Sequence, residues 1–148
     1  MYKFFQSALI VISSLLIIST PLSALAEDES LPEYKYVLHI DDMDPSKQEL
    51  ILNNARNLLD AYPPGDVEIE IVAYGPGLRL MFAENVNAQR IDSLSQSGVK
   101  FTACGNTLKG MAKLMGEEPK LNPSAGVVPA GIVRIGELVK QGYIYVKP

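Results

Sequence analysis

The chain has few of the side chains that most often perform chemistry: its 148 residues include one cysteine, one histidine and no tryptophan. A single cysteine excludes an internal disulfide and a dithiol redox mechanism, and one cysteine with one histidine excludes the usual Cys/His zinc site. A hydrolase triad is disfavoured because His39 is the sole imidazole and no G-x-S-x-G motif occurs. The glycine-rich phosphate-binding motifs are also missing.

Positive charge is scarce as well. Lysine and arginine number 13 against 17 aspartates and glutamates, for a formal net charge of −4, and the basic residues form no run. An acidic chain without a basic patch lacks the electrostatic signature of a nucleic-acid-binding protein. We therefore expect no nucleic-acid partner.

The first 26 residues have the pattern of a secretory signal peptide. Lys3 supplies the positive charge, residues 8–18 are mostly apolar, and residues 24–26 have small side chains at both ends. The apolar run is shorter than the ~20 residues of a spanning helix, which leaves an uncleaved anchor as the alternative. We expect an exported protein, periplasmic or otherwise secreted, with no membrane contact after cleavage.

Hydrophobic periodicity divides the remaining sequence into alternating strands and helices. Strands are predicted at 34–40, 66–73, 99–103, 127–128 and 143–146, and helices at 45–61, 87–97, 107–115 and 129–141. This alternation predicts a three-layer α/β/α sandwich with a mainly parallel sheet of about five strands. Residues 27–33 are expected to be a flexible N-terminus before one domain at 34–148.

Side-chain patterns add three local expectations. In the second strand apolar residues alternate with Glu68 and Glu70, which predicts a solvated face there. In the third helix Leu114 falls among the apolar positions. Asp44 followed by proline predicts the start of the first helix.

Cys104 is the most informative residue. It ends a predicted strand and precedes Gly105 and a predicted helix, which puts the thiol where α/β folds usually perform chemistry. The alternative is a buried, inert side chain, because free cysteines are among the most buried residue types. Asn106 and Thr107 are expected to cap the helix, with substrate contact as the alternative.

The other candidate site residues follow the first two strands. His39 would lie at the same sheet edge as Cys104, either as a base for the thiol or as a buried, hydrogen-bonded residue. Gly75 and Gly77 predict a turn that lines the same cleft. The acidic residues of segment 41–44 offer oxygen ligands but lack a calcium-loop pattern, so we expect no metal and no cofactor.

Several local patterns agree with one family. They are residues 53–57 (Asn-Asn-Ala-Arg-Asn), 72–78, 98–108, and 129–131 together with 142–148. Their order and spacing resemble the DsrE/DsrF-like family of small sulfur-handling proteins, in particular its exported single-domain branch. The resemblance implies a flavodoxin-like domain that forms trimers or hexamers and a cysteine that carries sulfane sulfur as a persulfide. That cysteine falls on Cys104.

Three functional hypotheses follow. The first is an exported sulfur-relay protein, sulfurtransferase-like if active, whose partners are donor and acceptor proteins or low-molecular-weight persulfides. The second is an oligomeric module that binds a small ligand or a protein, with an incidental thiol. The third is a structural oligomer joined by an intermolecular disulfide. A helix dipole lowers a thiol pKa by ~1.5 at most; a deeper shift would require a cation, for which Lys100, Lys109 and a neighbouring subunit are the candidates.

Overall fold

A computed structural model describes residues 31–148. The predicted signal peptide and residues 27–30 lie outside the described residues. Within the described part, no helix combines the length and apolar character needed to cross a membrane.

The described residues form five strands, four α-helices and one 3₁₀ helix. The strands are β1 (Tyr34–Ile40), β2 (Val67–Ala73), β3 (Lys100–Cys104), β4 (Ala125–Val128) and β5 (Ile144–Val146). The helices are α1 (Pro45–Ala61), α2 (Ala88–Gln96), α3 (Gly105–Met115) and α4 (Gly131–Lys140), and the 3₁₀ helix is Gly75–Met81. Every predicted strand and helix is present, with ends shifted by a few residues.

The five strands form one sheet in the order β4-β3-β2-β1-β5, and every neighbouring pair is parallel. The connections from β1 through β4 step in one direction, and the connection from β4 to β5 returns across the whole sheet. Because such crossovers are right-handed, this reversal places α4 on the face opposite the other helices. The predicted three-layer α/β/α, flavodoxin-like architecture is thus confirmed.

The two faces of the sheet are covered unequally. On what we call the main-core face, strand residues such as Leu38, Ile71 and Phe101 pack with α1, α2, α3 and the 3₁₀ helix. On what we call the α4 face, the buried cluster is small: Val37 and Val72 pack with residues of α4 and with Tyr143. Most of the apolar burial is therefore on the main-core face.

Local sequence signals explain the helix ends. The Asp44 carboxylate accepts a 2.7 Å hydrogen bond from the Ser46 N–H, and Pro45 occupies the first helical position, as predicted for α1. The left-handed Gly116 (φ 80°) ends α3, where a residue with a side chain would be strained.

Four local expectations need correction. The predicted turn and apolar segment after β2 form the 3₁₀ helix. The helix α3 begins at Gly105, so Asn106 and Thr107 lie in its first turn and Cys104 occupies the N-cap position. Leu114 is 89% exposed, because the inward side of α3 is formed by Leu108 and Met111. Glu70 is also wrongly assigned: it is buried beneath α4 rather than solvated.

Candidate functional site

Cys104 lies in the crevice between the carboxyl ends of β3 and β4. After β3 the chain turns to α3 on the main-core face, whereas after β4 it turns to α4 on the other face. The two connections therefore diverge and leave an opening at the sheet edge. Open α/β sheets typically bind ligands at such a switch point.

Two helices begin at this thiol. Cys104 is the N-cap of α3, and Gly131 is the first residue of α4. A Cβ atom at Gly131 would lie 3.2 Å from the Cys104 Cβ, and one at Gly105 would lie 3.1 Å from the Val128 carbonyl oxygen. The helix starts approach each other this closely because both positions lack a side chain. The partial positive ends of two helix dipoles thus converge on one sulfur.

Burial and nearby hydrogen-bond donors act in opposite directions on the pKa of this sulfur. Burial raises the pKa of the Cys104 thiol, but the N–H of Gly131 and the hydroxyl and N–H of Thr107 act as donors that favour the thiolate. Together the donors outweigh burial, so the pKa of Cys104 lies below its ordinary value. The Cys104 residue is only 6% exposed, so little of its surface is open to reagents.

Thr107 connects the thiol to the loop after β2. The Gly75 N–H donates a 3.0 Å hydrogen bond to Thr107 Oγ1, which leaves the hydroxyl hydrogen free to point at the sulfur. The Asn106 N–H donates a 3.1 Å hydrogen bond to the Pro129 carbonyl oxygen and is also among the donors that lower the pKa of Cys104. Of the predicted binding residues, Gly75, Gly105, Asn106 and Thr107 therefore gather around the crevice.

Gly77 has a positioning role in the same region. A Cβ atom there would lie 2.5 Å from the Ile40 carbonyl oxygen, closer than real atoms approach. Only glycine therefore allows the 3₁₀ helix to pack against the end of β1. Gly75 begins the same helix at a φ of 53°, which also favours glycine.

His39 lies at the predicted sheet edge but makes no hydrogen bond to the thiol. Its Nδ1 is 2.8 Å from the Tyr145 hydroxyl, and its buried Nε2 has no hydrogen-bond partner and lies 3.9 Å from an Asp41 oxygen. Burial lowers the pKa of His39, which favours the neutral ring at neutral pH. The structure does not bring the imidazole to Cys104, and the role of base stays a prediction.

Lys100 is placed away from the thiol. It begins β3 whereas Cys104 ends it, a separation of about 13 Å at the usual strand rise, and its ammonium pairs with Glu68. The acidic segment also has other partners: Asp41 pairs with Lys147 at 2.6 Å and Asp44 caps α1. Within residues 31–148, no three His, Cys, Asp or Glu side chains are placed to hold a metal ion.

Comparison with known proteins identifies the fold and the family. The family model of the DsrE/DsrF-like family matches residues 35–148. The chain belongs to the DsrE/DsrF-like family. The resemblance that the sequence motifs indicated is thus confirmed.

A solved structure supports this assignment. The chain is similar to the protein of unknown function MTH1491 from Methanobacterium thermoautotrophicum, with 32% sequence identity and a TM-score of 0.70. The match covers 78% of this chain and 99% of that one. No curated protein matches the sequence.

Two residues of this DsrE/DsrF-like site were not predicted from the sequence. Tyr74 follows β2 directly, beside Cys104 at the end of the next strand, and its ring stacks on His39 with centroids 4.4 Å apart. A Cβ atom at Gly131 would lie 3.2 Å from the Tyr74 ring, so Tyr74 and Gly131 both border the thiol. The position of Tyr74 after a parallel strand was the available signal, whereas Gly131 is brought in by the tertiary fold.

Proposed function

We propose that this DsrE/DsrF-like protein carries sulfane sulfur as a persulfide on Cys104. The observation that carries the proposal is a lone thiol with a lowered pKa at the converging starts of α3 and α4. The thiolate is the nucleophile in sulfur exchange, and hydrogen-bond donors that stabilise it also suit a persulfide anion.

The transfer step is balanced without an added oxidant. The Cys104 thiolate attacks the outer sulfur of a donor R–S–SH, a new S–S bond forms at Cys104, and the S–S bond of the donor breaks. The donor leaves as R–S⁻, and the product is the Cys104 persulfide. Release to an acceptor thiolate is the same exchange in reverse, with the protein as donor.

We further propose an exported oligomer, a trimer or hexamer, as the working form. Its support is the leader-like sequence at 1–26 and the unpartnered apolar side of α4, where Ile132, Val133 and Val139 are 62%, 57% and 46% exposed. Apolar side chains grouped on one helix side are typical of an interaction surface. The burial of Cys104 disfavours an intermolecular disulfide, because little of its surface is open to a second protein thiol.

Mass spectrometry after treatment with inorganic polysulfide or glutathione persulfide tests the proposal. We expect the native protein to gain the mass of one sulfur atom and to lose it on reduction. Cys104→Ser is expected to keep the fold and gain nothing, whereas Thr107→Val is expected to load more slowly because a donor to the sulfur is lost. A native thiol that resists both persulfides and iodoacetamide at mildly alkaline pH would refute a carrier role and support the binding-module alternative.

A further inference from the structure

The α4 face contains a cavity that the site described above does not use. The helix α4 packs over β1, β2, β3 and β5 but makes few contacts with β4, and the cavity beside it has a volume of about 410 Å³. Pockets for small organic ligands typically have volumes of 300–1,000 Å³. Its polar lining includes Glu70, Ser95, Lys100, Thr102, Ser124 and Arg134.

The cavity extends along β3 and β4 toward their carboxyl ends, and Cys104 lies just beyond its lining residues. Thr102 lines it and precedes Cys104 by two residues on β3, so both side chains lie on the α4 face about 7 Å apart. Val128 also lines the cavity and is the register partner of Cys104 on β4. A molecule lying along β3 and β4 would therefore have one end at Cys104.

A buried ion pair forms one wall. The Glu70 carboxylate, 1% exposed, accepts hydrogen bonds from Arg134 Nε at 2.9 Å, from Arg134 Nη2 at 2.7 Å and from the Thr102 hydroxyl at 2.7 Å. A buried pair of this kind adds little net stability, because desolvation offsets its attraction. Its consequence is that the guanidinium is held in one orientation at the cavity wall.

The fixed guanidinium has hydrogen-bond donors to spare. Arginine has five N–H groups, and Glu70 takes two of them. Glu137 is 3.8 Å from Nη1, beyond hydrogen-bond distance. Three Arg134 N–H groups therefore have no hydrogen-bond partner among the described residues, and a planar cation of this kind suits a carboxylate.

We propose that this cavity binds the organic part of the sulfur donor, a low-molecular-weight persulfide that bears a carboxylate. The inference rests on the proposed function and adds the class of substrate. The carboxylate contacts Arg134, and the terminal sulfur reaches Cys104. The thiolate attacks that sulfur, the S–S bond of the donor breaks, and the carboxylate-bearing thiolate leaves along the cavity.

Gly126→Val tests the cavity by filling it. Gly126 lines the cavity on the edge strand β4, and an added Cβ would meet its nearest atom, the Phe101 carbonyl oxygen, at 3.8 Å. A β-branched residue suits a strand, so the fold is expected to persist. We expect loading from glutathione persulfide to slow by about tenfold or more. Loading from inorganic polysulfide and alkylation by iodoacetamide should change less than about twofold.

Gly110→Ala is the matched control, since a Cβ atom on α3 would meet nothing within 4 Å. It is expected to load like the native protein from every donor. Unchanged loading of Gly126→Val from glutathione persulfide would overturn the cavity proposal while leaving the persulfide carrier intact. If no donor loads Cys104 in the native protein, the proposed function and this inference both fail.

The carboxylate is tested separately with the double variant Glu70→Gln, Arg134→Met, which removes both charges and leaves no unpaired ion. We expect about tenfold slower loading from glutathione persulfide and an unchanged rate from cysteamine persulfide, which has no carboxylate. Equal slowing with both donors would overturn carboxylate recognition. This readout also decides the question if Gly126→Val fails to fold, which its thermal unfolding curve would show.

Discussion

The two faces of the sheet differ in how they are packed and in which chemical groups they contain. The main-core face is closed by three helices and a 3₁₀ helix and buries most of the apolar side chains, whereas the α4 face is covered by one helix and contains Glu70, His39 and the cavity. The strand β3 shows the division within five residues. Phe101 and Ala103 belong to the main core, while Thr102 and Cys104 point to the other side.

The unequal cover of the two faces explains why the candidate site lies on the α4 face. A face packed with apolar side chains stabilises the fold but offers few groups for chemistry. The reversal of strand order after β4 leaves the opposite face with a single helix, so polar groups and an opening persist there. Substitutions on the α4 face test this difference, because charge and close packing replace apolar burial there.

Arg134→Met is expected to have the largest effect. It leaves the Glu70 carboxylate buried without its cation, and breaking a buried pair typically costs about 3–5 kcal/mol of unfolding free energy. Because the Arg134 side chain is 27% exposed, the low end of that range is expected. Urea unfolding at neutral pH measures the change.

A second substitution separates charge from packing. Adding Glu70→Gln removes the unpaired ion, so the double variant is expected to regain most of the lost unfolding free energy. If Arg134→Met alone is as stable as the native protein, the packing of the α4 face does not depend on this ion pair, and charge is not what distinguishes the two faces.

The pH dependence of stability is expected to be the next largest effect. The pKa of His39 is lowered by burial, so below about pH 6.5 the unfolded chain binds a proton that the folded chain resists. Stability therefore falls as the pH drops from the unfolded to the lower folded pKa, by at most about 1.4 kcal/mol per pH unit. Tyr74, Tyr145, Asp41 and Lys147 surround the ring, and Asp41 partly opposes the burial effect.

His39→Gln isolates this contribution. The unfolding free energy of this variant is measured by urea titration between pH 5 and 8. Its dependence on pH is expected to be weaker than that of the native protein, because the imidazole contribution is absent. The other titrating groups of the fold remain in the variant and serve as the internal reference. The same pH dependence in the two proteins would show that burial does not shift the pKa of His39, and His39 would then not distinguish the α4 face from the main-core face.

The sequence predicted the elements of this fold because each has a local signal. Alternation marks β2, proline after Asp44 marks the start of α1, and the strand–glycine–helix pattern places Cys104 at a strand end. Glu70 was misassigned because alternation distinguishes the two faces of a strand but not whether a helix covers one of them. The salt bridge to Arg134, distant in sequence, depends on the crossover that no local pattern encodes.

The same limit applies to the thiol. Its neighbour Thr107 is close in sequence and was predicted as part of the site, although as a cap. Gly131 and Tyr74 reach Cys104 only through the packing of α4 and the order of the strands. The residues that lower the pKa of Cys104 therefore divide into a local group, found from the sequence, and a tertiary group, found from the fold.

Gly131→Ala tests the tertiary group directly. Its Cβ would approach the Cys104 Cβ and the Tyr74 ring to 3.2 Å, so α4 must shift by a few tenths of an ångström. We expect a loss of about 1 kcal/mol of unfolding free energy. We also expect a higher pKa of Cys104, because the Gly131 N–H moves away from the sulfur. The pH dependence of the iodoacetamide alkylation rate measures that pKa.

Gly136→Ala on the same helix is the matched control. A Cβ atom there meets nothing within 4 Å, so alanine is expected to stabilise α4 by about 0.5–1 kcal/mol and to leave the alkylation profile unchanged. If Gly131→Ala lowers the unfolding free energy, Gly136→Ala raises it, and only Gly131→Ala changes the pKa of Cys104, then the start of α4 is what activates the thiol. A profile of Gly131→Ala that matches the native one would mean that α3 and Thr107 suffice to activate the thiol and that α4 only covers it.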